Sequence, residues 1–422
     1  MNRPQPEGSG RRLGGAALAC ALAAWTGTAA AGTLDAPPAA DPDLSTEGMR
    51  RAGPFHLRPF AVLKDVGYDD NIRFEAHTRE GDSTATAGAG LDAVLLAGDR
   101  GGLRLFQEAD YVTFQKNTDL DHWNGSARAR GVLLLKRAAL SLEERYASDR
   151  ERPSSEIDQR IRRDNNAVTA GFRTLGRGRL GLKSYLRDER IDYSTEDPTL
   201  GDIGALLNRD ETTLSVIGEV KVLPKTTFTL EGAVSSIAFD DRTQDRDTRK
   251  RALLPGFRFD PTAAVQGDLR AGPLVMTALD RDGSDYHGIV GDGHLTTRVG
   301  RAGRVKTGFD RNVEFSTLGD NVYYVGTQWS AAYEQFFSRR VSGEVYYSRG
   351  FNHYPKEVMS VSSPGVLLIH DDRLTTWQTT VRYRTNPQMT IGITASRVTR
   401  DSTDDFYDRT RSFYTFGTTY SF

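Results

Sequence analysis

From about residue 54 to its last residue, this chain repeats one pattern: stretches of ten to fifteen residues in which apolar and polar side chains alternate, separated by turn-forming residues. A period of two puts neighbouring side chains on opposite faces of a β-strand, and no helical period reproduces it. Leu214, Val216, Gly218, Val220 and Val222 share one face, while Thr213, Ser215, Glu219 and Lys221 share the other. After Pro224-Lys225 the next stretch repeats the arrangement, with Phe228, Leu230, Gly232 and Val234 opposite Thr227, Thr229, Glu231 and Ser235. Each ribbon is greasy on one side and wet on the other. Apolar residues make up 38% of the chain and charged residues 26%, with a mean hydropathy of -0.51. This is too polar for a helical membrane protein, and it suits a fold that hides only one side of each strand. A formal net charge of -1 gives no electrostatic case for nucleic acid.

Short connections are expected at 98–102, 136–137, 176–178, 224–225, 260–262, 300–303, 337–339 and 386–388. Longer polar segments lie between them, at 151–164, 195–208, 241–247 and 354–371. Tight turns at one end and longer loops at the other are the layout of outer-membrane barrels. Two strands between successive short turns, plus the terminal strands, give an all-β, antiparallel transmembrane barrel of about eighteen strands, with sixteen the nearest alternative. Glu144 on the lipid side and Pro255 within a strand break the pattern, each marking either a site beyond the membrane boundary or a bulge.

The N-terminus fits delivery to such a membrane. Arg11 and Arg12 precede the apolar run 13–26, which is too short to span a bilayer, and Ala29-Ala30-Ala31 offers a cleavage site. Residues 1–31 are therefore read as a cleaved signal peptide, 32–53 as a Pro/Ala/Asp-rich periplasmic linker and 54–422 as the barrel. The one cysteine, Cys20, lies inside the signal, so no disulfide or thiolate metal site is expected in the mature chain. No later segment carries eighteen consecutive apolar residues, which leaves strands as the spanning elements.

The last strand carries the sharpest local signal. Tyr414, Phe416, Thr418, Tyr420 and the terminal Phe422 form one face. This resembles the C-terminal signal by which the barrel-assembly machinery recognises its clients. Trp123, Tyr185, Trp329, Tyr333, Trp377 and Tyr383 are candidates for interfacial aromatic belts in contact with outer-membrane lipid.

The face opposite the greasy rows is charged with both signs. It holds Arg104, Glu108, Asp110, Arg128, Arg130, Glu143, Arg145, Lys183, Arg187, Glu189, Glu219, Lys221, Glu231, Asp268, Arg270, Glu334, Arg382 and Arg384. Two readings stand side by side: a hydrophilic lumen that passes a polar solute, or one packed with salt bridges that supports the wall. The seven histidines are scattered. The densest cluster, His287 and His294 with Asp285 and Asp292, reads more simply as polar strand and loop residues than as a metal site. Without a Gly-x-Ser-x-Gly elbow or a phosphate-binding loop, the chain reads as a channel and not an enzyme, with no cofactor or metal.

The segment Tyr68-Asp69-Asp70-Asn71-Ile72-Arg73 is similar to a tyrosine–aspartate–asparagine signature just after the first strand of a family of β-barrel porins encoded in exopolysaccharide and capsule gene clusters. The family's signature often continues Leu-Phe-Arg, where this chain reads Ile72-Arg73-Phe74. The resemblance covers the layout of the whole mature chain. It implies an outer-membrane channel through which a secreted polysaccharide passes, working with a periplasmic polysaccharide-export protein. Residues Tyr68, Asp69, Asp70 and Asn71 are expected to shape the first outer loop rather than to bind a ligand. The competing readings are an uptake porin, with 195–208 and 354–371 as candidate constricting loops, and a closed structural surface barrel.

Overall fold

We describe a computed structural model of the chain. It describes residues 44–422, apart from 153, 155, 158, 177, 195–202, 261–262 and 280–283. The signal-peptide assignment and most of the linker lie outside these residues.

The strands are β1 (Arg50–Ala52), β2 (Phe55–Asp69), β3 (Asp82–Leu96), β4 (Gly101–Phe114), β5 (His122–Leu134), β6 (Ala138–Glu151), β7 (Ile161–Thr174), β8 (Leu180–Ser194), β9 (Arg209–Leu223), β10 (Thr226–Phe239), β11 (Thr248–Phe259), β12 (Val265–Ala278), β13 (Tyr286–Val299), β14 (Gly303–Phe315), β15 (Tyr323–Phe336), β16 (Val341–Met359), β17 (Leu367–Asn386), β18 (Met389–Ser402) and β19 (Arg409–Ser421). From β2 onward each strand pairs antiparallel with the next, and β19 returns to pair with β2, from Phe413 opposite Asp69 to Ser421 opposite Phe60. The sheet closes as an eighteen-stranded barrel and leaves no free edge. The short strand β1, in the stretch read as linker, folds back on the start of β2 through Gly53, whose φ of +61° needs a residue without Cβ. No helix among the described residues is long and apolar enough to cross a membrane.

All eight short turns fall at one end of the barrel. At the other end strands flank 195–208 and 241–247 as the sequence suggests, but the connection at 354–371 is shorter. β16 and β17 run to Met359 and from Leu367, so most of the expected loop 354–371 is strand. Leu367, Leu368 and Ile369 are apolar on both faces and Pro355 interrupts β16, so the alternation that identifies strands in a sequence is lost there although the strands still pair, with a register shift between His353 and Glu357.

Burial is inside-out. Leu214, Val216 and Val234 are about half exposed, whereas Ser215 and Glu231, on the opposite face of the same strands, are buried. The exposed row is the lipid-facing one, because only there is burial supplied by something other than protein. Arginine at Val216 is expected to destabilise the barrel by about 2–4 kcal/mol, as a charge near the middle of a lipid-facing band does. Urea unfolding in lipid vesicles reads the effect, and a change below about 1 kcal/mol would place this row outside the lipid.

Aromatic pairs sit on the same outer face: Tyr111 with Trp123 at 5.0 Å, Phe309 with Trp329 at 4.3 Å and Tyr347 with Trp377 at 4.4 Å between ring centres. Tyr333 and Tyr383 are exposed there too, nearer the short turns. Tyr185 does not join them. Its neighbour Leu186 faces out, so period two turns Tyr185 inward, where it is buried and its hydroxyl donates to Glu231 at 2.9 Å.

Glu144 stands exposed on the outer face, opposite Val168. Pro255 marks an opening of the ladder. Pairing between β11 and β12 stops after Ala252–Leu274 and resumes at Gly256–Arg270, with Pro255 on one strand and Pro273 on the other. Proline offers no N–H to a ladder. The strands close in beside it, and a Cβ on Gly272 would lie 2.0 Å from the Leu253 carbonyl oxygen.

Candidate functional site

The inward faces of the strands carry the chemistry. Arg104 joins Arg58 on Asp92, at 2.7 and 2.6 Å. Lys64 bridges Asp110 at 2.8 Å and Glu108 at 3.5 Å. Arg128, Arg130 and Arg145 converge on Glu143. Lys183 and Arg258 share Glu219, and Arg187 meets Glu189. Glu231 accepts from Tyr185, Ser215 and Arg270, and Arg270 also reaches Asp292 at 2.7 Å. Arg382, Lys306 and Arg304 surround Glu334, and the first two also meet Glu344. Lys221 and Arg384 point inward by register but sit exposed beside their short turns. Asp268 is opposite His294. Arg58, Asp92, Lys306 and Glu344 complete these groups, and each lies on the polar side of its strand by the same parity that marks the others. Most of these carboxylates and cations are matched to one another, although three arginines share Glu143, so signs are mixed along the wall and no strong single-sign field faces a passing solute.

A second sector is different. At mid-height, β15 to β18 turn Gln328, Ser330, Ser348, Thr376, Gln378, Thr380, Thr394 and Ser396 inward, because Trp329, Val345, Trp377, Val381 and Ile393 face out. This sector carries hydroxyls and amides and no charge, and its internal bonds are long, with Gln378 to Thr380 at 3.3 Å and Thr380 to Thr394 at 3.2 Å.

Toward the long-loop end the lumen fills. Ile237, Phe239, Leu254, Leu274, Met276, Val313, Phe315 and Tyr323 form a buried apolar cluster. Ile203 and Leu207, on the one-turn helix α1 (Ile203–Leu207), pack on Ile157, Ile161, Ile191 and Tyr193. The loops above these clusters bond to one another across the mouth. Glu156, between β6 and β7, accepts from the Ser316 hydroxyl at 2.6 Å and the Thr317 hydroxyl at 2.7 Å, between β14 and β15. Those hairpins stand eight strands apart, nearly opposite in the ring. Buried Arg246, between β10 and β11, donates to the Leu206 carbonyl at 2.8 Å and to that of Ser316. Arg152 donates to the Ile72 carbonyl at 2.9 Å, and Lys356 to the Ser284 hydroxyl at 3.0 Å. Asp404 ties the last two loops together through the Val361 amide and the Ser362 hydroxyl. Burial works to raise the Asp404 carboxyl, but these hydrogen bonds and that of the Phe406 amide hold it at about 2.

The signature-like segment fastens the seam where the barrel closes. The Asp70 carboxylate accepts from the Ser412 amide at 2.6 Å, and Arg411 donates to Asp69 at 2.8 Å. Fully buried Asn71 donates to the Thr410 and Glu75 carbonyls, at 2.9 and 2.8 Å. Tyr68 points outward, 48% exposed and opposite Tyr414. At the other terminus Tyr414 and Phe416 face out, Tyr420 and Phe422 meet edge to face at 4.8 Å, and the Phe422 amide donates to the Pro59 carbonyl at 3.0 Å.

The histidine–aspartate cluster does not assemble. His287 pairs with Val275 on the outer face, and His294 pairs with Asp268 on the inner one. Seven residues along a strand, an odd number, reverses the face. The buried histidine is instead His370, bonded to Asp372 at 3.0 Å, which also holds Arg400 at 2.9 Å.

A closed barrel with a polar lumen, a lipid-facing outer surface and aromatic belts defines an outer-membrane channel protein. The chain matches the family described as "Putative beta-barrel porin 2" over residues 41–419, and belongs to it. No curated protein matches it. Among solved structures it is similar to Pseudomonas aeruginosa OccK2 (OpdF) in complex with glucuronate, at 11% identity and a TM-score of 0.51, over 86% of this chain and 97% of that one. It is also similar to the outer membrane protein OpdK of the same organism, at 10% identity and a TM-score of 0.49, over 87% and 99%. At 11% identity the likeness to OccK2 establishes the barrel fold alone.

Proposed function

We propose that this porin-like barrel is a passive, selective channel for small polar solutes, held closed at rest by its outer loops. The observation that carries this reading is the set of bonds from Glu156 and Arg246 to Ser316 and Thr317, which bridge the mouth. A channel for a polysaccharide in transit, fed by a periplasmic export protein, calls for a wide mouth, and the bridged one favours the uptake reading. The lumen suggests the solute class. Most of its charges are matched to one another, and β15 to β18 add an uncharged stretch in which Gln328, Ser330, Gln378 and Thr394 are partly exposed and so open to hydrogen bonds with a solute. A neutral, hydroxyl-rich molecule matches them, since it replaces bonds to water with bonds to the wall without displacing an ion pair.

Planar-bilayer recording tests the proposal. The expected record is small, intermittent conductance, together with uptake of a neutral sugar by swelling proteoliposomes. A large, steady conductance and passage of polymer would support export instead. A barrel that stays electrically silent and impermeable to sugars would support the structural reading.

A further inference from the structure

A feature of the outer surface is not explained by transport. Four arginines stand on the lipid-facing side of β14, β16, β17 and β18, at the long-loop edge of the aromatic belt. Register fixes their direction. Arg349 on β16 lies opposite Trp329, Arg397 on β18 opposite Trp377, and Arg373 on β17 opposite Phe351, and all three aromatics are exposed on the outer face. Arg311 on β14 is opposite Thr327, which is in turn opposite Phe351. Arg311, Thr327, Phe351 and Arg373 thus form a row across four strands, roughly 14 Å long at the usual strand spacing. Arg349 sits diagonally beneath Arg373 at roughly 7–8 Å, the spacing of such neighbours in a sheet.

These arginines differ from those of the lumen, where guanidinium groups are matched to carboxylates. None of the four makes an ion pair among the described residues. Arg349 and Arg373 lie on the ring of Phe351, at 5.3 and 5.7 Å from its centre. The Arg349 Nε is buried without a hydrogen-bond partner. Arg311 donates only to neutral oxygens, those of Ile289 and Thr327. Of the acids on this face, Asp401 lies opposite Arg373, Asp371 is engaged with His353 at 2.6 Å, and Glu357 stands farther toward the loops, opposite Ile369. Two of these cations rest on one aromatic ring at the rim of a membrane and the other two flank them; the chemistry that satisfies guanidinium donors gathered there is a phosphate.

We infer that Arg311, Arg349, Arg373 and Arg397 form a binding site for the phosphate groups of an anionic glycolipid in the outer leaflet, with its acyl chains on the Trp329 and Trp377 belt. The site lies on the lipid face and does not depend on what crosses the lumen. The competing account is that the arginines only extend toward water at the interface, as long basic side chains do.

Native mass spectrometry of the purified barrel with bisphosphorylated lipid A, and with the same lipid stripped of its phosphates, separates the two accounts. Binding that is saturable and requires the phosphates is expected. Joint substitution R349Q/R373Q is expected to weaken it by about tenfold or more, with the conductance record unchanged. Should that variant not assemble, Arg397→Gln carries the test, because Arg397 is exposed and makes no ion pair among the described residues; a several-fold weakening is expected. Equal binding of the stripped lipid, or unaltered affinity in the variants, would overturn the assignment.

Discussion

Replacing Glu156 and Arg246 together by alanine is expected to raise the mean single-channel current by about tenfold or more, without altering barrel assembly. The expectation follows from what the two side chains hold. Glu156 accepts from two hydroxyls and an amide of the opposite loop, and Arg246 joins that loop to the helix α1 beside it. Hydrogen bonds to charged groups contribute about 1.5–3 kcal/mol each, and losing about 1.4 kcal/mol of closed-state preference shifts an open–closed equilibrium tenfold. The strands below are untouched, so heat-modifiable electrophoretic mobility should stay native. Glu156→Gln keeps an acceptor and should open the mouth less than alanine does. A double variant with the wild-type current would show that these loops do not gate, and the closed-at-rest proposal would fall with them.

Glu231→Ala should cost about 3–5 kcal/mol of barrel stability, the usual consequence of removing one partner from a buried ion pair. Three neighbours lose their acceptor at once. The Ser215 and Tyr185 hydroxyls are left buried, and Arg270 keeps only Asp292 of its two carboxylates. Glu143 provides the contrast. It gathers three arginines, but Arg128 and Arg145 are substantially exposed to lumen water. Water screens what is lost, so Glu143→Ala should cost clearly less. Urea titration in detergent micelles compares the two. Equal losses would mean that water reaches Glu231 as freely as Glu143, and the lumen would be wetter at that level than its packing indicates.

Much of the channel wall was legible without coordinates. Once Leu214 and Leu230 assigned the greasy face of β9 and β10, Glu219 and Glu231 had to face inward, and the same parity located Glu143, Arg104 and Arg382. Tyr185 is an exception only in character: its aromatic ring suggests a belt, but Leu186 beside it faces the lipid and parity turns Tyr185 inward. Parity gives no such guide above the membrane. There Leu367, Leu368 and Ile369 are apolar on both faces of β17 and Pro355 interrupts β16, and the polarity pattern that reports strands in a sequence disappears.

The sequence by itself determined the number of strands, their turns and the side of each ribbon that meets lipid, because those properties depend only on neighbours two residues apart and on turn residues between them. Pairings between residues far apart in the chain were decided by the tertiary structure alone. Asp70 meets Ser412 at the seam, Glu156 meets Ser316 across the mouth, and Arg349 meets Arg373 over one phenylalanine ring. Such contacts are set by ring closure and register, which bring together segments whose separation along the chain carries no trace of their distance in space.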